Sequence, residues 1–223
     1  MIDKRVETCV RALRGLGDGM SVMIGGFGDA GVPFALVEAV LETGARDLTA
    51  ISNNAGTGEA GLAALLKAGR VRRVVCSYPR SRGAHVFDAL YRAGRVELEL
   101  VPQGTLVERI RCAGAGLGGF YCPVAAGTQL AEGREQREID GRTHVLEAPL
   151  GADFALIGAA RGDAWGNLIY DKTARNFGPV MATAAELVVA QVRAFAMPGE
   201  LDPECIVTPG IFVDRVVVEG AAS

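Results

Sequence analysis

A chain of 223 residues, 49% of them apolar, has the length and hydrophobicity for one sizeable α/β domain spanning residues 1–223. Its formal net charge of −3 argues against a nucleic-acid surface, and no run approaches the roughly 18 uncharged apolar residues that a membrane span needs. The opening Met-Ile-Asp-Lys-Arg-Val-Glu is charged and lacks an apolar signal core, so a cytoplasmic protein is expected. The five cysteines show no C-x-x-C spacing, and the two histidines lie far apart without nearby ligands. Neither a disulfide framework nor a metal site is therefore expected.

Residues 3–16 place Val6, Cys9, Val10, Leu13 and Leu16 on one helical stripe. The turn pair Asp18-Gly19 leads into the apolar run Met20–Ile24, which reads as a buried strand. Gly25, Gly26, Gly28 and Gly31 then fall within seven residues, and Pro33 stands where a helix should begin. Glycines between a strand and a helix bring bare backbone N–H groups close to whatever binds there.

Gly26-x-Gly28-x-x-Gly31 also matches the dinucleotide fingerprint. That fingerprint wants an acidic residue at the end of the second strand, however, and Leu48–Ser52 ends in Asn53-Asn54. Asp47 has about the right spacing but precedes the strand, so a nicotinamide-binding domain is disfavoured.

Onward, helices over Val32–Leu41, Gly61–Lys67, Val86–Tyr91 and Thr105–Arg111 alternate with strands at Leu48–Ser52, Val71–Ser77 and Val96–Val101. Such alternation predicts an open, mainly parallel sheet with flanking helices. Ala113–Gly127 reads as a loop packed against the sheet's rim, and Glu132–Arg142 as a charged, solvated excursion. Ala152–Ala160, Leu187–Val192 and Phe212–Val218 supply the closing strands, with helix-start signals in Thr173–Phe177 and Pro179–Ala185.

Ligands of open parallel sheets bind outside the carboxyl ends of the strands. Here those ends read Gly-Gly-Phe-Gly, Ser-Asn-Asn-Ala-Gly, Ser-Tyr-Pro-Arg and Val-Pro-Gln-Gly. Neutral amides such as Asn53, Asn54 and Gln103 suit an oxyanion that develops on a carbonyl during acyl transfer. A capping role competes for one of the two asparagines. No histidine falls at a strand end, Cys76 has no base nearby in sequence, and the nearest carboxylates, Asp29 and Glu59, suit helix N-termini. The chain reads as a binding half without its nucleophile.

Asp18-Gly19-x-x-Val22-Met23-Ile24-Gly25-Gly26-Phe27-x-x-x-Gly31-x-Pro33 resembles the signature of the A subunits of family I CoA-transferases. The likeness continues through Ser52–Gly56, Glu99–Leu106, Ala115-Gly116, Ala152–Ile157, Ala174-Arg175-Asn176-Phe177 and Thr208–Asp214, and so spans nearly the whole chain. The resemblance implies the CoA-transferase (NagB-like) fold and transfer of CoA from succinyl-CoA to a 3-oxo acid, through a glutamyl-CoA thioester on a partner B subunit. CoA is then a substrate, and no cofactor is implied. The nucleophilic glutamate belongs to a Ser-Glu-Asn-Gly motif that this chain lacks.

Asn53, Asn54 and Gln103 match family positions that line the active site. Gly25, Gly26, Phe27, Gly28, Gly31, Gly104 and Arg80 are candidates for contact with substrate or CoA. Gly56–Arg70, Tyr91–Gly94 and Gly162–Asn167 resemble the 3-oxoadipate branch of aromatic catabolism, with the acetoacetate branch as the alternative. A second carboxylate on the acid would want a cation, for which Arg80 and Arg82 stand after the third strand. Leu117–Thr128 departs from the family pattern. A non-catalytic sensor of acyl-CoA or a sugar phosphate is the further alternative.

Overall fold

The computed structural model describes residues 2–80 and 83–220. The expected alternation of strands and helices is present. In chain order the first half holds α1 (Cys9–Ala12), β1 (Ser21–Ile24), α2 (Phe34–Thr43), β2 (Leu48–Ile51), α3 (Leu62–Lys67), β3 (Val71–Cys76), α4 (His85–Arg92), β4 (Glu97–Leu100) and α5 (Gln103–Gly114). The second half holds β5 (Phe120–Cys122), β6 (Gln136–Ile139), β7 (Arg142–Glu147), β8 (Ala152–Asp163), β9 (Leu168–Ile169), α6 (Gly178–Ala182), β10 (Ala185–Ala196) and β11 (Arg215–Val218).

The main sheet runs β11-β10-β8-β1-β2-β3-β4, with all these neighbours parallel. Short β9 pairs antiparallel with β8. The strand order reverses at β1: β2, β3 and β4 lie to one side of it, and β8 to the other.

Strand residues alternate between two apolar layers, as a pleat covered on both faces requires. Val22, Ile24, Ala50, Val74, Cys76 and Leu156 enter the layer that holds α1 to α4. Met23, Ile51, Val75, Ala155 and Ile157 enter the opposite layer, with Leu106 and Ile110 of α5 and Met181 of α6.

Two expectations are corrected. The stripe over residues 3–16 forms only the single turn of α1. Residues 4–6 instead pair with the sheet's far edge: Val6 N donates to Val216 O at 2.9 Å and Val216 N to Lys4 O at 2.8 Å. Thr8 then caps the short helix through Oγ1, which accepts from Arg11 N at 3.2 Å.

Residues 132–142 are not an excursion. They contribute β6 and the start of β7 to a small antiparallel sheet, ordered β5-β7-β6. This sheet is tied to the main body by charge. Glu147 at the end of β7 is 1% exposed; its Oε1 accepts from Arg134 Nη1 at 2.6 Å, and its Oε2 lies 4.0 Å from Arg109 Nε of α5. Arg109 also donates to Glu99 Oε1 at 2.7 Å and to Ala148 O at 2.9 Å.

Candidate active site

The strand ends meet as the topology requires. Ser52 is buried, and its Oγ donates to Ile24 O at 3.1 Å, which stitches the end of β2 to the end of β1. Between them opens a cleft of about 370 Å³, counted out to its mouth. It is lined by Gly26, Gly28, Asp29, Val32, Ser52, Asn54 and Gly56, among others.

The glycine turn forms one wall of this cleft. Phe27 N donates to Ala30 O at 3.0 Å, and Ala30 N returns a bond to Phe27 O at 3.3 Å, so Gly28 and Asp29 form the tip of a tight hairpin turn. Phe27 is 50% exposed.

Two glycines here are sterically obligatory. Gly26 has φ 129°, and a Cβ on it would stand 2.4 Å from Val32 Cγ2. Gly31 has φ 78°, and its Cβ would stand 2.4 Å from Ala174 O. The third glycine of the apparent fingerprint therefore makes room for a distant loop, and the following helix starts only at Phe34. The fingerprint match is one of letters and not of the dinucleotide turn.

Gly25 has ordinary backbone and ordinary contacts, and Gly28 faces open space. Asp29, expected to serve a helix N-terminus, instead lies exposed at the turn's tip and lines the cleft. Glu59 pairs with Lys67 at 3.1 Å.

Asn53 and Gln103 come together. Helix α5 leaves the sheet edge after β4 and crosses back over it, so its first residue reaches the end of β2, two strands away. Asn53 is 3% exposed, and its Nδ2 donates to Gln103 Oε1 at 3.1 Å. Its backbone carbonyl accepts from Ser77 N at 3.1 Å and Tyr78 N at 3.0 Å, which extends the β2–β3 pairing past the strands. With Oε1 held by Asn53, the exposed Gln103 makes no bond through its Nε2 donors among the described residues and can offer them to a ligand.

Asn54 takes the turn role expected of one of the two asparagines: its Oδ1 accepts from Gly56 N at 2.8 Å. Gly104 is exposed beside Gln103, and nothing lies within 4 Å of where its Cβ would be. Gln103, Gly104, Val107, Phe120, Cys122 and Val124 line a second, mainly apolar and wide-open cleft of about 840 Å³, a volume that includes the solvent at its mouth. The divergent Leu117–Thr128 loop thus borders the Gln103 amide.

Arg80 lines neither cleft. It is 68% exposed and pairs with Asp88 of α4 at 3.4 Å; Arg82 lies outside the described residues. Burial pushes the Cys76 thiol up to about 12, which removes it as a nucleophile near neutrality. Among the described residues, no group of three or more His, Cys, Asp or Glu side chains is placed to hold a metal ion, and no helix is long and apolar enough to cross a membrane.

One contributor was given no role from sequence. Asn176 touches the glycine turn from a loop about 150 residues away in the chain, with Gly26 N donating to its Oδ1 at 3.1 Å. Its presence in Ala174-Arg175-Asn176-Phe177, within the family-like stretches, was the only signal.

A family profile described as Coenzyme A transferase matches residues 6–219. This chain belongs to the coenzyme A transferase family. Over 224 residues it is 62% identical to the A subunit of 3-oxoadipate CoA-transferase from Pseudomonas putida, a match that covers all of this chain and 97% of that one. It is 55% identical over 217 residues to the protein of the same name from Acinetobacter baylyi, covering 97% and 95%.

Among solved folds, an acyl-CoA transferase from Escherichia coli in its thioester complex with CoA superposes with a TM-score of 0.86 at 21% identity. That match covers 99% of this chain, which spans about half (49%) of the other. Glutaconate CoA-transferase from Acidaminococcus fermentans gives 0.85 at 20% identity, covering 96% and 75%. These two likenesses establish the CoA-transferase fold that the sequence led us to expect.

Proposed function

We propose that this chain, as one domain over residues 1–223, is the A subunit of a cytoplasmic CoA-transferase that moves CoA from succinyl-CoA to 3-oxoadipate. A B subunit supplies the nucleophilic glutamate. The observation that carries the reading is the exposed Gln103 amide at the rim, its Oε1 held by buried Asn53. In acyl transfer the glutamate attacks the thioester carbonyl, CoA leaves as thiolate, and an anhydride remains. The thiolate then returns to the glutamyl carbonyl and releases succinate. Each addition places negative charge on a carbonyl oxygen, which a preset neutral donor stabilises.

The names of the Pseudomonas and Acinetobacter relatives support 3-oxoadipate as the acceptor. A 42% identical relative from Mycobacterium tuberculosis, named as the A subunit of a probable succinyl-CoA:3-ketoacid coenzyme A transferase, supports a different 3-oxo acid as the second reading; acetoacetate is the one we weigh.

The chain alone should show no transfer from succinyl-CoA, and adding the B subunit should restore it. The kcat/KM ratio for the two acids then decides the acceptor: a ratio favouring acetoacetate would replace the first reading by the second. Borohydride reduction after loading with acyl-CoA should label a glutamate on the B subunit only. A labelled Asp29 or Glu59 would overturn the division of labour.

A further inference from the structure

We propose that Asn176 is a positioning residue for this reaction, holding the Gly26–Ala30 turn in the shape that faces the acyl group. The inference rests on the reading of the chain as one half of a CoA-transferase. Its physical basis is a side-chain amide with every hydrogen-bonding site engaged.

Oδ1 accepts from Gly26 N at 3.1 Å and from Phe177 N at 2.7 Å. Nδ2 donates to Ala30 O at 2.9 Å and to Thr173 O at 2.8 Å. One bond of each pair fixes the amide to its own loop, and the other reaches across to the turn. The two bonds across grip both ends of the turn, since Gly26 precedes Phe27 and Ala30 O also closes the hairpin with Phe27 N.

Only asparagine meets this demand. Aspartate keeps the shape but offers no N–H donors, and glutamine is one methylene too long. Gly31 serves the same contact from the other side, since its missing Cβ leaves the space that Ala174 O fills. The turn itself is built of positions left open by the described residues: Phe27, Gly28 and Asp29 are exposed, and the last two line the cleft. A turn whose ends are clamped and whose tip is bare is shaped for contact with something outside the chain. A wall displaced by an ångström misplaces whatever leans on it.

The test uses the assembled complex with Asn176→Ala and Asn176→Asp. For Asn176→Ala, the complex should still assemble, with melting lowered by a few degrees because buried Gly26 N loses its partner. The kcat/KM for the acyl-CoA donor should fall about 10- to 100-fold, and amide exchange in a peptide covering residues 24–31 should quicken. Asn176→Asp keeps an acceptor oxygen for Gly26 N and Phe177 N but sets the other carboxylate oxygen against the Ala30 and Thr173 carbonyls with no donor. Its kcat/KM should therefore fall at least as far as that of Asn176→Ala.

Failure of both variants to fold or assemble would make Asn176 a fold residue and overturn the proposal. So would a kcat/KM within about 3-fold of wild type in Asn176→Ala. If the wild-type complex moved no CoA, the functional reading would fall instead. The exchange comparison would still decide the clamp, and unchanged exchange would overturn it.

Discussion

Asn53 lets the acyl-transfer reading be tested through a residue that does not itself face the rim. In Asn53→Ala, Gln103 loses the one bond that fixes its amide. A neutral hydrogen bond of this kind is worth about 0.5–1.5 kcal/mol net, which corresponds to about 2- to 13-fold in rate. Gln103→Ala removes the donor itself and should cost about 100- to 1,000-fold in kcat. Because Asn53 acts through Gln103, the double variant should be no slower than Gln103→Ala alone. Asn53→Asp is sharper still. A carboxylate at that position accepts and cannot donate, so the Gln103 amide should turn over and present Oε1 to the rim. The loss should then approach that of Gln103→Ala or exceed it. Steady-state kcat and KM of the assembled complex, with melting temperatures to verify folding, give all four numbers. Multiplying losses in the double variant would show that Asn53 does not act through Gln103. Near-normal kcat in Gln103→Ala would refute the acyl-site role altogether.

The charge network beneath α5 makes two further predictions. Glu147→Ala leaves Arg134 and the buried Arg109 short of a counter-charge and should destabilise the fold by about 3 kcal/mol, seen as a fall in melting temperature of about 6–12 °C. Burial alone would raise the Glu99 carboxyl, but the Arg109 and Arg73 guanidiniums outweigh it and hold the group below the usual glutamate range. Ionised Glu99 therefore stabilises the fold above the unfolded value of about 4.3, and that contribution is lost as pH falls through the lower folded value. In Glu99→Gln, stability measured by denaturant titration should lose this acid-limb slope; a slope equal to wild type would exclude Glu99 as its source.

The first four strands and the helices between them were legible because each strand ends at a Gly, Asn or Pro signal and carries a recognisable pattern. β1 and β2 are short apolar runs covered on both faces, β3 follows Arg72 and Arg73 with buried Val74–Cys76, and the edge strand β4 alternates Glu97-Leu98-Glu99-Leu100. Residues 3–16 misled because their periodicity is real for Cys9, Ala12 and Leu13, all buried, while residues 4–6 obey a backbone pairing with Val216 that no local pattern announces. The small sheet was invisible because β6 is exposed along most of its length and shows no apolar alternation. Strand-end reasoning brought Asn53, Asn54 and Gln103 to one rim. It could not say that Asn53 would hold Gln103 while Asn54 turned back on Gly56, since that depends on where α5 crosses the sheet. The role of Asn176 was beyond reach for the same reason: its bonds to the turn span about 150 residues of chain, and only the family likeness of Ala174–Phe177, with no local physical pattern, marked the stretch.

The placement of the amide pair is a consequence of the core. Ser21–Met23 of β1 pair in register with Thr49–Ile51 of β2, and Ala50 and Ile51 with Val74 and Val75 of β3. The three strands therefore end at one level. Asn53 follows β2 by two residues, and its carbonyl takes both Ser77 N and Tyr78 N, so its side chain inherits that level from the strands. Gln103 arrives from the other side of the sheet on α5, whose depth is set by Leu106 and Ile110 in the core and by Arg109 among Glu99, Ala148 and Glu147. A bond of 3.1 Å between the two amides thus requires the strand register and the apolar layer under α5 to be right at once. Disturbance of either reaches the rim as a misplaced donor, and a donor aimed at a developing charge loses its effect with small displacement.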